Sequence, residues 1–174
     1  MISFLLCFLC SGTALQVNSL GQLTKLEGVW SGTCSGRPGI GTVTKTFTSF
    51  YGGKFVKCET VLTIPAKGGK PANVHQDLTI FSYDVMNQTL RMRQFHNEGF
   101  VHTCELQSSG LGHWVFEGKD VENLPPGFRP RLTIDLHSDG TLNEVFSLAQ
   151  PGKDFSEYVR TIVKRLPSAT SHRR

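Results

Sequence analysis

Residues 26–36 read LEGVWSGTCSG, and this stretch indicates the fold because it sets one large ring among small residues. Trp30 has one glycine two residues before it, Gly28, and another two residues after it, Gly32. Glycine inside a strand often marks a place where another backbone approaches closely. The stretch therefore predicts a strand that carries a tryptophan at a crowded position of the fold.

Short β-rich runs follow this stretch at regular spacing. They are rich in Val, Ile, Thr, Phe and Tyr and are separated by Gly, Pro, Asn and Asp, which favour turns. The segment Ser138-Asp139-Gly140, between LTIDLH and TLNEVF, is the clearest hairpin signal. The pattern predicts ten strands, at residues 27–34, 41–50, 54–64, 74–83, 88–96, 99–107, 111–118, 129–137, 140–148 and 155–165.

Consecutive strands joined by hairpins form a meander, and a sheet of this size curls. Closing the sheet on itself removes both of its edges. Leu20, Leu23 and Leu26 at a spacing of three predict a helical turn ahead of the first strand. The predicted fold class is all-β, a single closed up-and-down β-barrel of about ten antiparallel strands with a short N-terminal helical turn. A β-sandwich is the alternative. Residues 119–128 are predicted to be the longest loop, which either caps one barrel end or simply connects two strands.

The N-terminus begins with the apolar run ISFLLCFLC at residues 2–10. This run is too short to span a bilayer, which takes about 20 residues, but it has the length of the apolar part of a signal peptide. Small residues follow at 12–14, although no Lys or Arg precedes the run, so a buried arm or a retained anchor is the alternative. We predict a signal peptide at 1–18, a barrel domain at 19–166 and a disordered basic tail at 167–174. The expected location is secreted or in the endomembrane lumen, with the cytoplasm as the alternative.

The composition excludes several classes of protein. Apolar residues make up 39% and charged residues 18%, which is typical neither of a disordered chain nor of a membrane bundle. The net charge is +4, but several basic residues fall in the last eleven positions, so we predict no nucleic-acid binding. We also predict no stable membrane span. Asn87 begins a glycosylation sequon whose use the sequence leaves open.

The chain has five cysteines, of which Cys7 and Cys10 fall in the predicted signal peptide. The other three are Cys34, Cys58 and Cys104. A secreted protein would allow one disulfide and one free thiol among them, and the pairing stays open. No Cys-x-x-Cys motif occurs after the predicted signal peptide, so no metal site is predicted.

The first strand resembles the start of the calycin barrels, which include the lipocalins and the fatty-acid-binding proteins. The matching residues are Leu23 and Leu26, followed by Gly28-Val29-Trp30. In that superfamily the tryptophan closes the barrel floor and a basic residue of the last strand packs over it, since an indole face attracts a cation. The resemblance therefore assigns barrel closure to Gly28, Trp30 and Arg160, with Arg165 as the second candidate.

Two further features indicate which families within that superfamily the chain resembles most. The pattern Leu26-x-Gly28-x-Trp30-x-Gly32, with Tyr83-Asp84 and Phe95-x-x-x-Gly99, is similar to a lipocalin-like family of unknown function and to the haem-binding nitrobindins, which share a ten-strand barrel. Nitrobindins carry Tyr-Pro-Thr-Ile after the first strand and a haem-ligating histidine near the last. This chain has SGRPGIGT at 35–42, and FSEYVRTIVKR at 155–165 contains no histidine. The cofactor is therefore left unknown, with haem as an alternative.

Alternation of side chains along a strand sorts candidate site residues onto faces. Phe100, His102, Cys104 and Leu106 share one face, which suits a cavity wall with a few polar anchors. His102 and Cys104 could serve as metal ligands or as a nucleophile and its base. Positions two apart on a strand are about 6.5–7 Å apart at their roots, however, so a hydrogen-bonded barrel histidine is the alternative.

Other candidate residues also have two interpretations. Arg91 and Arg93 share a face, and they bind a carboxylate or phosphate if they point inward or face solvent if they point outward. His75 and Asp77 form either a polar pair at a barrel mouth or an exposed pair on a strand end. Trp114 and Phe116 share a face and are either core or ligand-stacking residues.

No catalytic arrangement stands out. The sequence has no Ser–His–Asp order, no Gly-rich phosphate loop and no His-x-x-x-His, so we predict no catalytic residues and leave enzymatic activity open. The predicted function is binding or carriage of a small apolar or amphipathic ligand. A haem- or tetrapyrrole-handling or isomerase-type enzyme and a solid-core interaction module are alternatives, and the oligomeric state stays open. The predicted ligand-binding residues are Phe47, Arg93, Phe100, His102, Cys104, Trp114 and Phe116.

Overall fold

The protein folds as a closed barrel of ten antiparallel strands, seen in a computed structural model that describes residues 20–69 and 71–167. A helical turn at 20–23 continues into a 3₁₀ helix at Thr24–Leu26. The strands are β1 (Gly28–Gly36), β2 (Gly41–Phe50), β3 (Phe55–Ile64), β4 (Asn73–Asp84), β5 (Thr89–His96), β6 (Val101–Gly110), β7 (His113–Glu122), β8 (Arg129–Leu136), β9 (Thr141–Ala149) and β10 (Ser156–Arg165).

Each strand pairs with its neighbours in sequence, and β10 returns to pair with β1. The predicted all-β, up-and-down barrel is therefore confirmed, and pairing of the first strand with the last excludes the β-sandwich. The predicted signal peptide lies outside the described residues, as does almost all of the predicted tail. No helix in the described part of the chain is long and apolar enough to cross a membrane.

Side-chain alternation explains why these segments form barrel strands. In β3, Val56 and Leu62 are buried in the interior, while the intervening Lys57 and Glu59 form an ion pair on the outer surface. This period of two matches the pleat of a strand with one buried face.

Trp30 closes one end of the barrel, which we call the floor. Its ring is almost fully buried, and Nε1 donates a hydrogen bond of 2.7 Å to the carbonyl oxygen of Leu26 in the 3₁₀ helix. The guanidinium of Arg165 lies 4.7 Å from the centre of the indole ring and also donates to the carbonyl oxygen of Lys25. The helical turn, the indole and the last strand are thus joined at one point.

The basic residue over Trp30 is Arg165, and the first choice, Arg160, was wrong. The register of β1 and β10 sets Trp30 opposite Arg165 and Ser35 opposite Arg160. Arg160 therefore lies on the outer face, where it pairs with Glu157.

The glycines around Trp30 have a steric role in the seam between β1 and β10. A Cβ at Gly32 would lie 2.0 Å from the carbonyl oxygen of Ile162 and 2.8 Å from Cα of Val163. At Gly28, φ is +121°, and the stem of Arg165 packs beside it. The crowding that the opening stretch predicted is therefore the approach of the last strand to the first.

Two expectations differ from the structure. The predicted loop at 119–128 is shorter, because β7 continues to Glu122 and pairs with β6 beyond a bulge between His102 and Cys104. Cys34, Cys58 and Cys104 are all free and buried, so these three form no disulfide.

Gly32→Ala is expected to destabilise the barrel by about 3 kcal/mol, because the added methyl group collides with backbone that cannot rotate away. Gly21→Ala is the matched control, since a Cβ there meets nothing within 4 Å, and its effect should stay within about 1 kcal/mol. Urea unfolding followed by tryptophan fluorescence measures both. Equal effects of the two substitutions would contradict the steric role of Gly32.

The three buried thiols are expected to resist alkylation in the folded protein. Burial raises the pKa of Cys58 and of Cys104 to about 12 and also raises that of Cys34, so almost no thiolate forms near neutral pH. Iodoacetamide labelling followed by peptide mass mapping should find the three residues unmodified in buffer and modified in urea. Labelling of Cys58 in the folded state would contradict this burial.

Candidate functional site

Polar side chains occupy the barrel interior toward the end opposite the floor, which we call the mouth. This is the end at which β5 finishes and β6 begins. We call the group the polar chamber, and its members are Lys45, Thr60, His75, Asp77, Thr79, Gln94, His96, His102, Glu144 and Thr161.

A buried ion pair crosses the polar chamber. Lys45 Nζ lies 2.7 Å from Glu144 Oε1, and the two side chains are only 3% and 12% exposed. Lys45 also donates to Thr60 Oγ1 at 3.3 Å. Burial alone would lower the pKa of Lys45, but the charge and hydrogen bond of Glu144, together with the charges of Cys58 and Asp77, outweigh burial and raise it. The lysine is therefore held in its charged form inside the barrel.

Three histidines on adjacent strands line the mouth side of the chamber: His75 on β4, His96 on β5 and His102 on β6. His75 Nδ1 lies 2.7 Å from Glu98 Oε1, and His75 Nε2 lies 3.3 Å from His96 Nδ1. The hydrogen bond to Asp77 raises the pKa of His75, against the effect of burial, and Glu98 adds to the rise. Burial lowers the pKa of His96.

His102 is the most deeply buried of the three. Its Nε2 lies 2.9 Å from Gln94 Oε1, which fits a neutral ring that donates from Nε2. Burial, helped by the neighbouring His96, lowers the pKa of His102 to about 3. Its ring stacks on Phe146, with 5.5 Å between the centroids. His102 thus joins the polar chamber to an aromatic surface contributed by β9.

Asp77 is the buried carboxylate of the chamber. Its Oδ1 accepts from Thr79 Oγ1 at 3.4 Å, and its Oδ2 lies 3.7 Å from His75 Nε2. Burial would raise the pKa of Asp77, but the hydrogen bond from His75 and the charge of Lys45 lower it. The carboxylate is therefore ionised at neutral pH.

One hydroxyl group in the chamber lacks a hydrogen-bond partner among the described residues. Thr161 is 2% exposed, and its Oγ1 is unpaired. Its position on β10 lies opposite Glu144 on β9, so both side chains face the interior. An unpaired buried hydroxyl costs free energy, because it has given up its hydrogen bonds to water.

The rest of the interior is filled by apolar side chains, the largest of which lie toward the floor. Trp30, Phe81, Trp114 and Phe116 are each no more than 1% exposed and belong to one continuous core. The rings of Phe81 and Phe116 lie 5.4 Å apart. Buried apolar side chains also lie on the mouth side of Lys45 and Thr60, at Val43 and Leu62, so the apolar core surrounds the polar chamber on more than one side.

The predicted ligand-binding residues do not form one site. Phe47, Cys104, Trp114 and Phe116 are buried in the apolar core, and His102 alone belongs to the polar chamber. Whether any of them contacts a ligand stays a prediction.

Two other predicted ligand-binding residues lie elsewhere. Arg93 is on the outer face, where Nη1 donates to Ser82 Oγ at 3.1 Å, because the inward positions of β5 belong to Leu90, Met92 and Gln94. Of the two orientations that alternation left open for Arg93, the structure shows the outward one, and ligand binding by Arg93 stays a prediction. Phe100 is half-buried in the turn before β6.

Sequence reasoning missed Lys45, Glu144 and His96. The signal was present in part, because Lys45 lies two residues from the buried Val43 and from the buried Phe47. Glu144 lies between Leu142 and Phe146 in the same way. Strand alternation alone would have placed both charged side chains in the interior. A charged residue, however, is normally assigned to the solvent-facing side of a strand, so these two were passed over.

The described residues do not fit the haem site that the nitrobindin resemblance implies. β10 offers no imidazole, and its inward positions include Val163 and Thr161. The space beside the buried His102 is taken by the stacked ring of Phe146. A flat macrocycle would have to displace this pair.

A cleft of about 470 Å³ opens in the barrel wall at the bulge between β6 and β7. His102 lines it together with Gly118 and the charged residues Glu105, Glu117, Lys119, Asp120, Glu122 and Arg129. His102 therefore lies between this cleft and the polar chamber.

Comparison with known proteins supports the fold alone. No protein-family model and no curated protein matches the chain. The crystal structure of Rv2717c from M. tuberculosis is similar, with a TM-score of 0.58 and 14% sequence identity over 91% of this chain and 99% of that one. The likeness is one of barrel architecture.

Lys45→Met is expected to destabilise the protein by about 3–5 kcal/mol, because it leaves Glu144 buried without its partner. Lys45→Met combined with Glu144→Leu should recover most of this loss, since no charge then remains buried. Lys57→Met is the matched control: Lys57 and Glu59 are 2.8 Å apart but 35% and 54% exposed, so the cost should stay below about 1 kcal/mol. Urea unfolding tests the set, and similar losses for Lys45→Met and Lys57→Met would contradict burial of the first pair.

Proposed function

We propose that the protein binds a small amphipathic molecule in the polar chamber and carries it without chemical turnover. The observation that carries this proposal is the charged Lys45–Glu144 pair, buried in the same closed barrel interior as three histidines. Buried ion pairs are often no more stabilising than apolar side chains of the same volume, so packing does not explain them. Groups with strongly shifted pKa values cluster at functional sites.

The polar and aromatic groups of the chamber suggest the class of ligand. The unpaired Thr161 hydroxyl offers a hydrogen bond to a polar group, and the half-buried face of Phe146 offers an apolar contact. A long acyl chain would need the floor half of the barrel, which Phe116 and Trp114 already fill. The proposed ligand is therefore compact, with one polar end and one flat apolar part.

The barrel also supports a proposal about the superfamily to which the protein belongs. Small closed barrels hold one ligand in several unrelated families. The Gly28-x-Trp30 stretch, packed against Arg165, matches the floor of the calycin barrels that the sequence resembles. We therefore propose membership of that superfamily and, from the apolar run at 2–10, a secreted protein.

A solid-core interaction module is the second candidate. The observation that favours it is the packed apolar core, in which tryptophan and phenylalanine rings leave the floor end filled. Such a module would bind partners on its outer surface and would take no small ligand inside.

The first experiment is native mass spectrometry of the purified full chain, followed by titration with 1-anilinonaphthalene-8-sulfonate, an amphipathic aromatic anion. Thr161→Val removes the unpaired hydroxyl with little change of shape. It is expected to raise stability by about 1 kcal/mol and to weaken probe binding by roughly 3- to 10-fold. Thr33→Val, on the exposed face of β1, is the matched control and should change neither.

Copurified mass lost on denaturation, or saturable probe binding that Thr161→Val weakens, supports the proposal. Bare protein mass without saturable probe binding would overturn it in favour of the interaction module. Oleate serves as the long-chain comparison, and tight oleate binding would contradict the compact ligand.

A further inference from the structure

Two histidines and a glutamate are held together at the mouth of the barrel. His75 lies on β4, His96 ends β5, and Glu98 follows in the turn to β6. Asn97 fixes this turn to β4 with two hydrogen bonds: its backbone N donates to Gln76 O at 2.9 Å, and its side-chain Oδ1 accepts from Gln76 N at 3.1 Å. The side chains are therefore positioned by sheet structure on both sides.

The two imidazoles face each other at a distance that suits a shared metal ion. His75 Nε2 and His96 Nδ1 are 3.3 Å apart. In a tetrahedral zinc site with Zn–N bonds of about 2.0–2.1 Å, two ligand nitrogens lie about 3.3–3.4 Å apart. The ligand atoms that His75, His96 and Glu98 offer all lie within 4.8 Å of one another.

Carboxylates flank His75 on both of its nitrogens. Glu98 Oε1 is 2.7 Å from Nδ1, and Asp77 Oδ2 is 3.7 Å from Nε2. A metal-bound histidine commonly donates its second ring N–H to a carboxylate, which fixes the ring and makes it a better ligand. Glu98 occupies this position, and Asp77 lies on the side where an ion would sit.

We propose that the mouth of the barrel binds one divalent transition-metal ion of the zinc class between His75 Nε2 and His96 Nδ1. Glu98 is the carboxylate that orients His75 through Nδ1, and Asp77, whose Oδ2 lies 3.7 Å from His75 Nε2, is the carboxylate beside the ion. Imidazole nitrogens with one carboxylate are the donors that zinc and its neighbours in the first transition row prefer.

Solvent can reach the site. The side chains of His75 and Glu98 are 27% and 42% exposed, while that of Asp77 is 6% exposed. The two imidazoles leave the remaining positions for a carboxylate, for water or for another molecule. This inference goes beyond the proposed function, because the ion binds whether or not an organic ligand enters the chamber.

A purely protonic arrangement satisfies the same contacts. A protonated His75 can donate to Glu98 from Nδ1 and to His96 from Nε2, with no ion between them. The two arrangements differ in one measurable respect. The protonic network needs nothing from solution, whereas the metal site takes up one equivalent of zinc.

The test is competition for Zn²⁺ between the metal-free full chain and a chromophoric chelator, without organic ligand. We expect one ion per chain. His96→Gln and, separately, His75→Gln should weaken zinc binding by more than about 100-fold, and Glu98→Gln by roughly 10- to 100-fold. His113→Gln is the matched control, because His113 pairs with Asp135 on the outer surface, away from His75 and His96, and it should leave zinc affinity unchanged.

Co²⁺ gives a second measurement, which begins with the native protein and checks the folding of the variant. Bound between His75 and His96, it should produce the intense visible bands of a four-coordinate ion in the native protein, and His96→Gln should remove them while the near-ultraviolet circular dichroism stays native. Absence of zinc binding, or zinc affinity and cobalt bands that survive both histidine substitutions, would overturn the proposal.

The results separate this site from the proposed carrier function. Thr161→Val should leave zinc affinity unchanged, and His96→Gln should leave bare-protein stability close to native. Zinc binding with no organic ligand would support the metal site alone, and organic ligand binding with no zinc would support the carrier alone.

Discussion

The seam between β1 and β10 is the constraint on which the rest of the structure depends. Without it the ten strands form a curled sheet with two open edges and no enclosed interior. Gly32 lets the two backbones approach, and Trp30 with Arg165 holds the end of the seam against the 3₁₀ helix. Closure makes every inward side chain a neighbour of side chains from across the barrel, which is how Lys45 on β2 meets Glu144 on β9.

The interior contains two environments with different physical roles. Toward the floor, large apolar side chains pack tightly and supply the stabilisation that comes from removing apolar surface from water. Toward the mouth, charges and imidazoles are buried at a cost that only mutual pairing offsets. The pKa values of His75 and His102 move in opposite directions, because carboxylate partners raise that of His75 whereas burial and the neighbouring His96 lower that of His102. The barrel interior therefore holds one histidine with a raised pKa and another with a lowered pKa on nearby strands.

Much of the fold could be predicted from local pattern. The ten strands were placed to within a few residues, since alternation, turn residues and the Gly-x-Trp stretch agree with one another. Residues 119–122 were assigned to a loop because KDVE lacks strand-forming side chains at most positions, whereas pairing with β6 across a bulge makes them a strand. The choice of Arg160 over Arg165 as the basic residue above Trp30 was wrong because it also needed information about strand pairing. Both lie on the last strand, and the register between β1 and β10 alone decides which of them reaches Trp30.

The sequence by itself determined that the chain is all-β, that its strands follow one another in hairpins and that a tryptophan sits in a crowded first strand. These properties depend on residues close together in the chain, through turn geometry and the period of a pleated strand. The tertiary structure alone decided which charges meet. Lys45 and Glu144 are separated by 99 positions, and His75 and His96 by 21. Pairs so far apart are brought together by strand register and barrel closure, which are set by the packing of the whole interior.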